Sequence, residues 1–168
     1  MKARNYIEWL RGLDKRWQRN RDGERRQILV DSRTAMNYAT VAPIVERLQK
    51  DPRVNVFFTA SESPDLLQTI YADARPPHQL VKLTPAALMH FDAYLTADFL
   101  WARLPRGTRR VQTFHGVAGK YRTVYDSPAD SMRGWDRLFF INKRRLQNFV
   151  DTGAVDADSP AIRLIGMP

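Results

Sequence analysis

The sequence predicts an α/β domain built on a doubly wound, Rossmann-like parallel sheet. Six short segments of mostly apolar residues recur along the chain, and helical segments lie between them. Strands that are covered on both faces show this near-continuous hydrophobicity, and parallel strands need crossover helices to connect them. With 168 residues, 43% of them hydrophobic, the chain is long enough to bury one such core.

The predicted strands share their length and their apolar composition. They are residues 27–31 (QILVD), 54–59 (VNVFFT), 92–97 (DAYLTA), 110–114 (RVQTF), 137–141 (RLFFI) and 162–166 (IRLIG), with 79–83 (QLVKL) as a weaker seventh.

Four helices are predicted between these strands. The first covers residues 40–51, with Thr40 as its N-cap and Pro43 tolerated in its first turn. The others are 63–74, 84–90 and 142–153, the last of which ends at Gly153, a natural residue just past a helix.

A basic amphipathic helix with a linker is predicted over residues 1–26, ahead of a Rossmann-like domain at 27–168. Nine Lys/Arg against four Asp/Glu place +5 of the chain's net +9 in this segment. Its apolar residues follow helical spacing, and three roles for them stay open: packing on the protein's own body, which we favour, contact with a membrane surface, or docking to a partner. They are Tyr6, Trp9, Leu10, Leu13 and Trp17.

The composition and the absence of certain motifs argue against several classes of function. The remaining 142 residues carry only +4, which makes a nucleic-acid partner unlikely. The chain has no cysteine, so disulfides and thiolate chemistry are excluded. No G-x-G-x-x-G pattern supports a dinucleotide cofactor, and no second histidine or carboxylate stands at metal-ligand spacing to His115, so we expect neither cofactor nor metal. The absence of a signal-like or spanning segment favours a cytoplasmic protein.

Ligands of doubly wound sheets bind in the crevice beyond the carboxyl ends of the strands. This rule selects polar residues that directly follow predicted strands as candidates for substrate binding. They are Arg33, Asn37, Asp98, Asn142 and Lys143.

The stretch VQTFHGVAGK (111–120) points to chemistry at this edge. A predicted strand ends on His115, whose imidazole titrates near neutral pH and can accept a proton from an alcohol. Gly116 and Gly119 permit close approach of a ligand, and Lys120 is placed to bind an anion. The glycine spacing does not fit a Walker A loop, and the alternative is that both glycines only serve a tight turn.

The same stretch resembles the strand-then-His-Gly segment of the CDP-glycerol glycerophosphotransferase family of wall teichoic acid synthesis. FDAYLTADFL (91–100), RLFFINKRRLQNFVDTGAV (137–155) and IRLIGMP (162–168) are similar to further family segments. Phe114 stands where the family usually has tryptophan, and Val117 where it usually has a hydroxyl residue.

The resemblance implies one half of a GT-B fold, the acceptor-side domain. It implies that His115 deprotonates an acceptor hydroxyl of a polyol or sugar phosphate, which attacks CDP-glycerol at the inner face of the cell membrane. The donor would be bound by a second domain after residue 168, so we expect little or no transfer by these 168 residues alone. The alternatives are a GT-B glycosyltransferase that uses a nucleotide-sugar and a non-catalytic module that binds a membrane or a partner.

Overall fold

The computed structural model describes residues 3–23, 25–74, 79–98, 100, 102–105, 107–114 and 132–166, without the side chains of 3–5 and 18–22. Its strands are β1 (Arg26–Asp31), β2 (Val54–Thr59), β3 (Ala93–Thr96), β4 (Arg109–Thr113), β5 (Arg137–Phe140) and β6 (Ile162–Leu164). Its helices are α1 (Ala3–Asp22), α2 (Ala35–Gln49), α3 (Leu67–Ile70), α4 (Leu83–Leu88) and α5 (Lys143–Asp151), with a 3-10 turn at Pro64–Leu66.

The six strands form one parallel sheet in the order β2-β1-β3-β4-β5-β6, which confirms the α/β Rossmann-like fold. The chain runs outward from β1 to β2 and then crosses back to place β3 on the other side of β1. The strand order therefore reverses between β1 and β3, which makes a crevice at their carboxyl ends. The predicted seventh strand is reduced to one parallel bridge between Leu80 and Phe58.

Alternate residues of each strand point to opposite faces, and each face is buried under its own helices. One face packs against α2 and α3 around Val30, Val56, Phe58 and Leu95. The other packs against α4 and α5 and is richer in aromatic rings. There Phe114 stacks on Phe140 with ring centroids 4.4 Å apart. This double coverage explains why the strands read as unbroken apolar runs.

At the amino-terminal edge of the sheet, two aspartates each form a hydrogen bond to the backbone of the neighbouring strand. Asp92, just before β3, accepts the Gln27 backbone N–H at 2.8 Å and pairs with Arg26 of β1 at 3.0 Å. Asp136, just before β5, accepts the Arg110 backbone N–H of β4, also at 2.8 Å. Each carboxylate thus joins two neighbouring strands and fixes their register where they begin.

The prediction that Thr40 caps the helix after the first strand is wrong. The helix begins five residues earlier, at Ala35, and Thr34 is its N-cap: the Thr34 hydroxyl accepts the Asn37 backbone N–H at 3.2 Å. Thr40 lies inside the helix and donates its hydroxyl to the Met36 carbonyl. Pro43 therefore stands in the helix interior rather than in the first turn. The local Thr34 cap outweighs the usual preference for proline at a helix start.

The predicted end of the last helix is confirmed at Gly153. Gly153 has φ of +70° and donates its N–H to the Val150 carbonyl at 2.9 Å. Ala154 donates to the Phe149 carbonyl at 2.9 Å, which completes a Schellman motif and turns the chain toward β6.

The amphipathic helix α1 is present, but Tyr6, Trp9, Leu13 and Trp17 of its stripe are exposed and only Leu10 is half-buried, so the prediction that the stripe as a whole packs on the body is wrong. The hydrogen bonds that hold α1 to the end of α4 are made by polar side chains. Arg11 donates twice to the Ala87 carbonyl, at 3.0 and 2.8 Å, and Asp14 accepts the His90 backbone N–H at 2.7 Å. In the part of the chain that the structure describes, no helix is long and apolar enough to cross a bilayer.

Candidate functional site

An ion pair spans the crevice at the point where the strand order reverses. Arg33 follows β1, Asp98 follows β3, and Arg33 Nη2 lies 3.2 Å from Asp98 Oδ2. Asp31 and Thr96 are register partners at the ends of these two strands, which is why the residues just beyond them meet. The structure thus brings together two of the residues that the sequence predicts for substrate binding.

A third member, Glu62, joins from the loop after β2. Its Oε2 lies 2.9 Å from Arg33 Nε. Sequence reasoning missed Glu62, although it follows a predicted strand as closely as the chosen candidates do. Side-chain exposure is 44% for Arg33, 52% for Glu62 and 17% for Asp98, so the group is open to solvent on one side.

The chemistry of this group favours a hydroxyl-bearing ligand over a polyanion. One guanidinium against two carboxylates leaves a formal charge of −1, and carboxylate oxygens can accept hydrogen bonds from hydroxyls. Arg33 uses its Nε and Nη2 groups in the two ion pairs. The remaining N–H groups of the guanidinium can donate to one phosphate oxygen or hydroxyl.

Asn37 and Asn142 each serve a helix start. Asn37 is 5% exposed, and its Oδ1 accepts the Thr34 hydroxyl at 2.7 Å in the first turn of α2. Asn142 is the N-cap of α5 and accepts the Arg145 backbone N–H at 2.7 Å. Lys143 is exposed on the first turn of the same helix. The structure brings none of these three into hydrogen-bonding contact with the Arg33 ion pairs.

The predicted base and its loop, which are His115, Gly116, Gly119 and Lys120, lie outside the described residues. The residue before them is well placed: Phe114 is buried and donates its N–H to the Phe139 carbonyl at 3.0 Å. The described part of β4 therefore runs to the carboxyl edge of the sheet, two strands from β1.

A buried carboxylate, which sequence reasoning missed, organises the floor of the crevice. Asp31 is fully buried; its Oδ1 accepts the Ser61 backbone N–H at 2.9 Å and its Oδ2 accepts the Tyr94 hydroxyl at 2.7 Å. Burial raises the pKa of Asp31, and the bonds from Ser61 and Tyr94 oppose that rise without cancelling it. Burial also raises the pKa of Tyr94 well above its ordinary value, so this hydroxyl keeps its proton and acts as a donor.

Asp31 belongs to a row of four buried polar residues across the sheet. Thr59, Asp31, Thr96 and Gln112 are register partners in turn, and each is at most 1% exposed. Among the described residues neither amide atom of Gln112 has a hydrogen-bond partner. The sequence signal was available for three of the four, because β1, β2 and β3 each end on a polar residue after apolar ones.

A cavity of about 530 Å³ lies at the opposite edge of the sheet and is a weaker candidate. Two of its arginines already form ion pairs with carboxylates. Arg53 bonds Asp51 and lowers the pKa of that carboxyl to about 2, and Arg26 pairs with Asp92. The lining residues are Arg25, Arg26, Asp51, Pro52, Arg53 and Val54. Among the described residues, no three His, Asp or Glu side chains are grouped as metal ligands.

Comparison of the chain with models of known protein families finds no match, and comparison with curated proteins finds no relative. The resemblance to the glycerophosphotransferases therefore stays a prediction.

Replacing Asp31 with Asn should change how stability depends on pH. A carboxyl whose pKa is raised on folding contributes stability that is present below its unfolded pKa, near 3.8, and lost as pH rises through the folded pKa. The free energy of unfolding of the native chain minus that of Asp31→Asn should therefore fall as pH rises from about 4 to about 7. Urea unfolding followed by circular dichroism measures this difference.

Asp136→Asn is the matched control. Burial tends to raise the pKa of Asp136, but the Arg110 N–H and Arg109 lower it overall, so the corresponding difference should rise with pH below about 5 and stay level from there to about 7. An Asp31 difference that also rises with pH would contradict the assignment.

Proposed function

We propose that this domain is the acceptor side of a CDP-glycerol glycerophosphotransferase-like enzyme. The observation that supports it best is the charged group of Arg33, Glu62 and Asp98 at the strand-order reversal. This group lies at the carboxyl edge of the sheet, where the described part of the β4 segment ends at Phe114, the residue that precedes His115 in the sequence. A polar crevice at this edge, with a histidine next in the chain, suits activation of a hydroxyl.

In the proposed reaction His115 is the general base. It removes the proton from an acceptor hydroxyl, and the oxygen forms a bond to the β-phosphorus of CDP-glycerol. The bond from that phosphorus to the bridging oxygen breaks, and CMP leaves with the electron pair. The acceptor gains one glycerol phosphate, and the imidazolium returns its proton to solvent.

The charged group is proposed to hold the acceptor. Glu62 and Asp98 accept hydrogen bonds from polyol hydroxyls, while Arg33 donates to an acceptor phosphate. Since two carboxylates repel a diphosphate, this arrangement suits an acceptor better than a nucleotide diphosphate donor. The donor is then bound by a second domain, and lipid-linked acceptors would place the enzyme at the inner face of the cell membrane.

Acceptor binding tests the proposal directly. Isothermal titration should show that the 168-residue chain binds glycerophosphoglycerol, which offers four hydroxyls and a single phosphodiester charge, and does not measurably bind CDP-glycerol. Asp98→Asn should weaken binding of glycerophosphoglycerol about tenfold, because it removes a charge-assisted acceptor. Asp136→Asn, the same substitution at the opposite edge, should leave binding unchanged. Equal binding of CDP-glycerol that is lost in Asp98→Asn would contradict the acceptor role.

An assay of glycerol phosphate transfer tests whether His115 is the general base. In protein expressed from its complete reading frame, His115→Ala should lower transfer of radiolabelled glycerol phosphate from CDP-glycerol by about 10²–10⁴-fold. His90→Gln should retain transfer, because His90 lies at the amino-terminal edge beside Asp92. Transfer from nucleotide-sugars but not from CDP-glycerol would favour the glycosyltransferase alternative. Turnover by the 168 residues alone, abolished in His115→Ala, would contradict the need for a donor domain.

A further inference from the structure

The exposed stripe of α1 is the largest apolar feature at the surface of this helix. Tyr6 is 50% exposed, Trp9 55% and Leu13 41%, and Trp17 continues the stripe at 57%. The rings of Tyr6 and Trp9 stack with centroids 5.8 Å apart. At about 100° per residue these side chains fall within an arc of about 80° of the helix surface.

The orientation of α1 is set by hydrogen bonds that leave this stripe facing outward. Arg11 and Asp14 hold the helix to the Ala87 carbonyl and the His90 N–H, at about 160° and about 100° around the helix from the centre of the stripe. An amphipathic helix ordinarily turns its apolar face to the core of its own domain. Here the docked flank combines Arg11 and Asp14 with the half-buried Ile7 and Leu10. Two tryptophans, a tyrosine and a leucine of the stripe remain exposed to solvent.

The positive charge of this segment indicates which kind of partner the exposed stripe binds. Residues 1–26 carry nine Lys/Arg against four Asp/Glu. Arg16 is exposed and lies about 20° from Trp9 around the helix, so a cation borders the stripe. Lys15 is exposed on the same helix. Tryptophan and tyrosine bordered by Lys and Arg are typical of helices that lie at a bilayer interface, whereas the centres of protein interfaces are depleted in charge.

We propose that α1 binds the surface of an anionic lipid bilayer through Tyr6, Trp9, Leu13 and Trp17. The helix lies in the plane of the interface, its rings enter the headgroup region, and exposed basic residues such as Arg16 pair with anionic headgroups. The stripe lies outside the carboxyl-edge crevice, because α1 leads into the amino-terminal end of β1. This inference is independent of the proposed reaction: a non-catalytic domain could bind lipid in the same way.

Vesicle co-sedimentation tests the proposal on the full 168-residue chain. The chain should bind vesicles of phosphatidylcholine with about 30% phosphatidylglycerol, bind pure phosphatidylcholine more weakly, and lose affinity as salt rises. Trp9→Ser combined with Leu13→Ser should lower partition into anionic vesicles about tenfold or more. Leu66→Ser combined with Leu164→Ser removes two leucines that are exposed elsewhere and should leave partition unchanged. Arg16→Glu should weaken binding, and Arg47→Glu on α2 should weaken it less.

Several results would overturn the proposal. They are no binding to anionic vesicles at low salt, equal binding by the stripe variant and the leucine control, or a dimer in light scattering that the stripe variant dissociates while vesicles stay unbound. The last outcome would assign the stripe to a second copy of the chain. Quenching of native tryptophan fluorescence by brominated lipid is expected without any substitution, so the test survives a variant that fails to fold; absence of quenching would also overturn it.

Discussion

The carboxylate of Asp31 is the constraint on which the functional edge of this domain depends. It ends the central strand β1, and it bonds the Ser61 backbone beyond β2 and the Tyr94 hydroxyl of β3. Three adjacent strands are therefore joined by one side chain that water cannot reach. Removing a carboxylate from water costs free energy, and the hydrogen bonds from the Ser61 N–H and the Tyr94 hydroxyl are both needed to offset that cost. Removing any member would leave a buried polar group without its partner.

This network continues across the sheet to Arg110. The Tyr94 hydroxyl also accepts the Ala102 N–H at 3.4 Å, while the Arg110 guanidinium donates to the Ala102 carbonyl at 2.8 Å and lies 5.3 Å from the centre of the Tyr94 ring. Burial lowers the pKa of Arg110, as expected for a cation held away from water. With the strand ends held in this way, the loops that carry Arg33 and Asp98 leave the sheet at defined positions, and their ion pair spans the crevice. The proposed acceptor site thus rests on a buried polar layer rather than on apolar packing alone.

The fold class could be predicted from the sequence because apolar strands alternate with helical segments along the chain. The run at 54–59 was predicted with its observed bounds, since a strand covered on both faces is apolar along its whole length. The start of α2 could not be placed, because a Thr-Pro signal at 40–43 competes with Thr34, and only the paired bonds between Thr34 and Asn37 decide between them. Arg33 and Asp98 could be selected from the sequence because they follow predicted strands, and ligands of doubly wound sheets bind beyond the carboxyl ends of the strands.

The errors have a shared physical origin. Sequence periodicity showed that α1 has an apolar stripe but could not show which flank docks, because the hydrogen bonds of Arg11 and Asp14 reach residues 76 positions away. Likewise, Asp31 and Thr96 each end an apolar strand, and only strand register reveals that they lie in one row with Gln112. Long-range partners, not local propensity, decided both cases.

A double-mutant cycle on Asp31→Asn and Tyr94→Phe is the most direct measurement of the central interaction. Free energies of unfolding from urea titrations should show a coupling of about 1–3 kcal/mol between the two substitutions. The same cycle with Tyr38→Phe, a buried tyrosine in the core on the other face of the sheet, should be additive within about 0.5 kcal/mol. Additive effects for Asp31 and Tyr94 would contradict the account, because the ends of β1 and β3 would then not be held together by this hydrogen bond.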